Sequence, residues 1–258
     1  MISLHFLGTA SGIPTFHRFN SATLLCCDQD KYLIDCGEPV SSLLLRTGFD
    51  WKEIKAVFIS HMHADHFSGI FQLLQSLQIA GRTEKLSIMM PENAINTFKS
   101  FLELILLHGD MLPYQLEIIP VQSGYIFKDD NFQVTACPTN HLKPYNRPAY
   151  SYSFEGDIKI VYSGDIGSIN DLRWLQEADV LIMELAHVPL DDVLQFLKIK
   201  SKIGKIVLSH IHPDLEGKEK EVFNMLLDFL PKERITIAGD GTMLKIVPEK
   251  CYNNEYGL

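Results

Sequence analysis

The sequence predicts an α/β fold of four layers, αββα, in which two mixed β-sheets pack face to face and helices cover their outer sides. Three observations predict it. Each half of the 258-residue chain opens with short β-compatible runs and continues into helical segments. The last third alternates strand and helix regularly. The densest group of ligand-type side chains, "SHMHADHFSG" at 60–69, sits between a buried apolar run and a helix, where α/β folds carry their chemistry.

Taken in order, "ISLHFLG", "SATLLCC", "KYLIDCG" and "IKAVFIS" read as strands punctuated by Gly, Pro, Asp and Asn. A short helix, "PVSSLLLRTG", fits between the third and fourth and is closed by Gly48. After the histidine cluster, "FSGIFQLLQSLQIAG" carries apolar residues at helical spacing and stops at Gly81. A strand at "KLSIMM" follows, then a helix beginning near "PENAINTF" that stays apolar through Leu107. Strands return at "YQLEIIP", "GYIF", "FQVTACP", "AYSYSFEG" and "KIVYSG". The closing alternation is helix "INDLRWLQEA", strand "DVLIMEL", helix "LDDVLQFLKIK", strand "KIVLSH", helix "KEKEVFNMLLDFL", and strands "RITIAG" and "MLKIVP".

No repeat, low-complexity tract or Gly/Ser-rich linker marks a boundary, so 1–247 is expected to be a single domain with 248–258 as a C-terminal tail. With 46% apolar and 21% charged residues, a substantial core can be buried. The N-terminus has no basic stretch leading into a long apolar one, and no segment reaches the ~18 uninterrupted apolar residues of a membrane-spanning helix. A cytoplasmic protein with no membrane partner is expected. Cys26, Cys27, Cys36, Cys137 and Cys251 form an odd set without C-x-x-C spacing, mostly in strand-like runs, which points to reduced thiols acting as small hydrophobes. The net charge of −9 argues against an extended nucleic-acid surface or attachment to anionic membrane.

In an extended segment His61 and His63 project to the same side and can converge on one ion. Four ligands within six residues strain a single tetrahedral ion, and two ions relieve the crowding. Further ligands should come from other strand ends. His141 in "CPTNHLKP", Asp165 in "IVYSGDIG" and His210 in "IVLSHIHP" stand at such places. The predicted sets are His61, His63, His141 and Asp165 for one ion, and Asp65, His66, Asp165 and His210 for the other, with the Asp165 carboxylate bridging. Packing three imidazoles together without a cation would cost desolvation and repulsion. His5, His17 and His108 read as ordinary core or surface histidines, and His212 as either an outer support of the site or a surface residue.

A metal pair lined by imidazole and carboxylate lowers the pKa of the water it holds toward ~7, so the expected chemistry is hydrolysis. "LGTASGIP" lacks both the Walker lysine and the dinucleotide G-x-G-x-x-G pattern. Its small residues suit close backbone approach to an oxyanion. Attack on phosphorus also needs a proton for the departing oxygen, and Glu184 and His187 in "LIMELAHVP" offer a carboxylate that could orient an imidazole donor.

These residues resemble the metallo-β-lactamase superfamily, whose H-x-H-x-D-H signature is matched by His61, His63, Asp65 and His66. Within it the chain is similar to ribonuclease Z. The likeness runs through "LHFLGTASGIPTFHRFNSATLL", "YLIDCGE", "AVFISHMHADHFSGIFQLLQSLQIAGRTEKLSI", "PTNHLKP", "YSGD" and "VLSH", covering nearly all of 2–247. The resemblance implies an αββα fold, two zinc ions (with manganese or iron as alternatives), phosphodiester hydrolysis and a homodimer. It also implies that Glu184 and His187 assist leaving-group protonation and that Asp65 acts on the attacking water. Two departures are visible. Ribonuclease Z carries a tRNA-binding arm between the motifs of His141 and Asp165, whereas only 24 positions separate them here (165 − 141). "HIHPDLEG" also lacks the family's usual Ser and Arg.

The expected activity is therefore a dizinc phosphodiesterase acting on a small phosphodiester or short nucleic acid, with loops 9–21, 142–149 and 186–191 setting specificity. Hydrolysis of a carboxylic ester, thioester or lactone at the same ions is the alternative, and a non-catalytic metal-binding module is the third reading.

Overall fold

The structure is a computed structural model that describes residues 1–199 and 202–246. The first sheet comprises β1 (Ile2–Gly8), β2 (Ala22–Cys27), β3 (Asp30–Ile34), β4 (Ile54–Phe58), β5 (Leu86–Pro91) and β6 (Leu116–Val121). The second comprises β7 (Gly124–Lys128), β8 (Gln133–Pro138), β9 (Tyr150–Glu155), β10 (Lys159–Tyr162), β11 (Ala178–Leu185), β12 (Ile203–Ile211) and β13 (Ile235–Ile237). The last strand, β14 (Met243–Ile246), returns to the first sheet, giving the orders β14-β1-β2-β3-β4-β5-β6 and β13-β12-β11-β10-β9-β8-β7.

Both sheets are mixed, as the sequence predicts. Hairpin-linked strands β1, β2 and β3 are antiparallel, while β3 through β6 run parallel. In the second sheet β7 through β10 are antiparallel and β10 through β13 parallel. Parallel neighbours require crossovers, and helices supply them. On the first sheet these are α1 (Val40–Thr47), α2 (Ala64–Phe67), α3 (Ile70–Ile79) and α4 (Ile95–Leu104); on the second, α5 (Leu190–Ile199) and α6 (Glu219–Leu226).

Three apolar layers follow from that arrangement. Between the sheets, Phe6, Tyr32 and Phe58 of the first meet Tyr152 and Phe154 of the second and Phe132 in the turn before β8, with edge-to-face rings such as Phe58–Phe154 at 5.0 Å. Removing one such ring costs about 3–5 kcal/mol through lost burial and the cavity left behind. Leu43, Leu44, Leu73, Leu77 and Phe98 cover the outer face of the first sheet, and Val193, Leu197, Val222 and Leu226 that of the second.

Three helices are shorter than the apolar pattern suggests, among them the one expected over "KEKEVFNMLLDFL", which ends at Leu226. The helix expected through Leu107 ends at Leu104, where Leu106 turns with φ 61°. "INDLRWLQEA" forms only a 3-10 turn, Ile169–Leu172. There the Asp171 carboxylate accepts the backbone N–H groups of Asn140 and Gly167, each at 2.8 Å, so the segment is held by loop contacts in place of a helical ladder. Among the described residues Cys26 and Cys36 are buried free thiols and Cys27 and Cys137 are half-buried, while Cys251 and the expected tail at 248–258 lie outside them. No helix among the described residues is long and apolar enough to cross a membrane.

Candidate metal centre

The candidate ligands gather where the ends of the two sheets meet. β4 runs out at Phe58, the chain stays extended through His63 (φ −70°, ψ 145°), and α2 then carries Asp65 and His66. His141 follows β8, Asp165 follows β10, and His210 lies near the end of β12 with φ 51°. Backbone ties lock the sheets at this end: Tyr150 N donates to Ser60 O at 3.1 Å, and Ile211 N to Thr9 O at 2.9 Å. Gly164 of "YSGD" is required by geometry. It has φ +56°, and a Cβ there would stand 2.4 Å from the Tyr150 carbonyl oxygen.

Asp165 is the hub. Its Oδ2 lies 3.5 Å from His61 Nε2, 3.4 Å from His66 Nε2 and 3.5 Å from His141 Nε2, while Oδ1 lies 3.2 Å from His210 Nε2. Asp65 Oδ2 is 3.3 Å from His66 Nε2 and 3.9 Å from His210 Nε2. His63 Nδ1 and His141 Nε2 face each other at 3.3 Å. All seven predicted ligands are thus brought together. One group consists of His61, His63, His141 and Asp165, and another of Asp65, His66 and His210, with the donor atoms in each group within 4.8 Å of one another.

The donors fit a divalent metal on the evidence of their unmet valences. His61 Nε2, His66 Nε2, Asp165 Oδ1 and both ring nitrogens of His210 are buried without a hydrogen-bond partner among the described residues. A buried polar atom left unpaired costs about 1–3 kcal/mol, and four of these atoms, the Nε2 of His61, His66 and His210 with Asp165 Oδ1, gather around one carboxylate where a cation would satisfy them. Imidazole and carboxylate in this proportion suit a divalent cation of zinc-like preference.

In His66 and His61 the second ring nitrogen is already occupied. His66 Nδ1–H donates to Asp35 Oδ2 at 2.6 Å, turning the Nε2 lone pair toward the cluster. His61 Nδ1 lies 3.1 Å from Ser60 Oγ, which itself donates to Asp35 Oδ2 at 2.9 Å. Asp35 also accepts the Tyr162 hydroxyl at 2.6 Å and the Ser60 backbone N–H at 2.8 Å. The sequence reading left Asp35 without a role. Its only signal was position, since it follows β3 inside "YLIDCGE" and adopts the left-handed backbone (φ 56°) that aspartate tolerates.

Electrostatics follow the packing. Burial, reinforced by the neighbouring His66, holds His61 well below the ordinary histidine range. Burial lowers His141 to about 4 and also lowers His63, against the pull of nearby carboxylates. At His66 burial is outweighed by Asp165 and Asp35, and the imidazole is pushed well up, so a positive charge is favoured at that point. The carboxyls of Asp165 and Asp65 are driven down despite burial by the surrounding histidines.

His187 stands half-open at the mouth. Its Nδ1 is 3.3 Å from Glu184 Oε1 and 3.7 Å from Asp165 Oδ2; burial opposes its protonation, but contact with Glu184 raises its pKa. Glu184 is buried and accepts three backbone N–H groups, Ile166 at 3.1 Å, Ala186 at 2.7 Å and His187 at 2.8 Å. It therefore ties the Asp165 loop to the His187 loop. His212 turns away: its Nδ1 accepts the Asp214 N–H at 3.2 Å and caps a 3-10 turn. His5 is buried against Phe49 with Nε2 3.0 Å from Ser3 Oγ, and His17 packs on exposed Phe16. Between His141 and Asp165 the chain forms only a turn at Lys143–Tyr145 and the β9–β10 hairpin.

Comparison with known proteins agrees with this architecture. The chain is 35% identical over 159 residues to ribonuclease Z of Thermosynechococcus vestitus, a match that covers 60% of this chain and 37% of that enzyme. It thus spans well under two thirds of this relative's length. Superposition on the short form of human tRNase Z gives a TM-score of 0.74 at 21% identity, covering 95% of this chain and 99% of the other. The metallo-beta-lactamase fold protein YhfI from Bacillus subtilis gives 0.76 at 21% identity, covering 94% and 98%. The chain therefore has the metallo-β-lactamase fold and, with residues 2–221 matching the model described as anti-Pycsar protein Apyc1, it belongs to that family.

Proposed function

We propose that the chain is a metal-dependent phosphodiesterase that holds two zinc ions and cleaves a small phosphodiester such as a cyclic nucleotide or a short oligonucleotide. The observation that carries this reading is the convergence of four imidazole Nε2 atoms on the Asp165 carboxylate, three of them (His61, His66 and His210) buried and unpaired. His61, His63 and His141 would hold one ion and Asp65, His66 and His210 the other, with Asp165 shared. When bound, the ions supply a nucleophilic water at neutral pH and neutralise phosphate charge.

The chain's own residues do the rest. Asp65 accepts the Gly12 N–H on Oδ2 at 2.8 Å, which leaves Oδ1 to accept a proton from an attacking water. His187, its Nδ1 directed to Glu184, has Nε2 free to donate a proton to the departing oxygen. Glu184 fixes that imidazole through the loop backbone and is a positioning residue. The relatives named ribonuclease Z support a phosphodiester substrate. The short connection between His141 and Asp165 and the net charge of −9 favour a small one over a folded RNA.

The test is a hydrolysis panel with zinc- and manganese-loaded protein on bis(p-nitrophenyl) phosphate, cyclic nucleotides, a precursor tRNA and a lactone, together with metal counting. Two metal equivalents and turnover of the small phosphodiesters are expected. Turnover confined to the lactone, or two equivalents without any turnover, overturns the reading.

A further inference from the structure

The two halves of the candidate centre differ in access. The first includes His63, which is exposed, and His141, which is half-buried, so an ion reaches it from solvent. The second has no such opening: Asp65 is 8% exposed, His210 3%, Asp165 2% and His66 0%. Among the described residues a third group of donors joins Asp165 and His210 to His187, with the three ligand atoms within 4.8 Å of one another. His187 is its outward-facing member, the side chain 35% exposed. Its Nδ1 lies 3.7 Å from Asp165 Oδ2, and His210 Nε2 lies 3.2 Å from Asp165 Oδ1, spans that an ion about 2 Å from each donor can close.

We infer that His187, Asp165 and His210 form a third, outer metal seat at the mouth, through which the second ion enters and leaves its buried seat; the inference rests on the two-ion part of the proposed function. Asp165 and His210 belong to both the outer and the inner seat. Passage therefore exchanges one donor, His187, for two, Asp65 and His66, while the shared pair keeps its hold. The ion is never stripped of protein ligands on the way, and no buried donor has to reach the surface. The outer seat offers one carboxylate and the inner seat two, so a dication settles inside and the outer position is a passing stage. His187 is free to take that part. Its Nδ1 is 3.3 Å from Glu184 Oε1, and when the imidazole turns away the Glu184 carboxylate keeps three backbone N–H donors, so nothing buried is left unpaired. Once both ions are in place His187 stands outside their lasting ligand sets.

The experiment starts from the zinc-loaded full chain and follows the transfer of zinc to an excess of chromogenic chelator, with the affinity of each equivalent taken from equilibrium competition. Two equivalents are expected in the wild type. His187→Ala should leave both affinities unchanged yet slow release of the second equivalent by at least about tenfold, since losing even the hydrogen-bond partner of a ligand costs about 10–100-fold in affinity. His187→Cys, which restores a metal donor without the imidazole, should recover the rate. The outer seat is also read at equilibrium. In Asp65→Ala, which removes an inner donor, adding His187→Ala should weaken the second equivalent by at least about tenfold, an effect absent when Asp65 is present. Unchanged or faster release in His187→Ala, with two equivalents bound, overturns the inference and leaves the two-ion reading intact, because the second ion then travels by the His63 side. Slow release that His187→Cys does not recover overturns it too, as does the lack of any weakening in the Asp65→Ala background. A wild type that binds a single equivalent overturns the two-ion reading and the inference with it.

Discussion

From the first sheet come His61, His63, Asp65 and His66 within one loop and one helical turn, whereas the second sheet sends His141, Asp165 and His210 from three separate strand ends. The first set is placed by local backbone: an extended step, a helix start, and the single carboxylate of Asp35 behind it. The second set is placed at a distance. Asp171 joins the loops of Asn140 and Gly167, Glu184 joins those of Ile166 and His187, and Ser151 Oγ donates to Ser163 O at 2.6 Å beneath Asp165. A contiguous half-site is rigid by chain connectivity. A dispersed one is only as rigid as the buried hydrogen bonds that tie its loops together.

Removing the shared hub should erase the contrast. Asp165→Ala is expected to abolish binding of both metal equivalents and lower phosphodiester turnover by at least ~10³-fold, since several kcal/mol of charge stabilisation are lost. Retention of one tight equivalent on the first half-site would show that the contiguous set is self-sufficient. His187→Ala probes chemistry without touching the lasting ligands of either ion. Turnover of substrates with alkoxide leaving groups should fall about 10²–10⁴-fold, while p-nitrophenolate esters, whose leaving group needs no proton, should change little. Equal losses on both would remove the proton-donor role.

Behind the contiguous half, Asp35→Asn should weaken metal affinity by about 10–100-fold, because the group behind His66 loses its negative charge and one of its two acceptor oxygens while four donors still face it. A chelator competition assay reads this directly. Behind the dispersed half, Asp171→Ala leaves the Asn140 and Gly167 N–H groups unpaired. It should cost about 1–3 kcal/mol in denaturant unfolding, with a smaller loss of metal affinity than Asp35→Asn. The reverse order would mean that the long-range ties matter more than the local ones. His212→Ala is the control: its ring caps an exposed turn, and stability should stay within ~0.5 kcal/mol.

The same contrast explains what could be read from the chain alone. H-x-H-x-D-H is compressed into six residues, and its crowding has no inexpensive explanation besides a cation. Asp165, His141 and His210 were legible because each follows an apolar run that ends a strand. Asp35 was not, because its partners, Ser60, His66 and Tyr162, lie 25, 31 and 127 positions away. The strand content was readable from β-branched and aromatic runs, but strand order was not, since pairing between β11 and β12 or β1 and β14 leaves no periodic trace. The failed helix at "INDLRWLQEA" shows a local pattern overridden by a buried carboxylate that two loops need more than the helix does.

The pairing of β14 with β1, with Ile2 opposite Ile246 and His5 opposite Met243, also bears on how the chain reaches its native state. During synthesis the outer edge of β1 emerges more than two hundred residues ahead of its partner. Until then the first sheet carries an open edge of unpaired N–H and C=O groups, the kind of template on which other chains align. Closing that edge joins residues of very high sequence separation, a step that carries a large loop-closure entropy and comes late. The last strand thus acts as a fastener: the half of the centre written most plainly in the sequence sits on the sheet that is completed last.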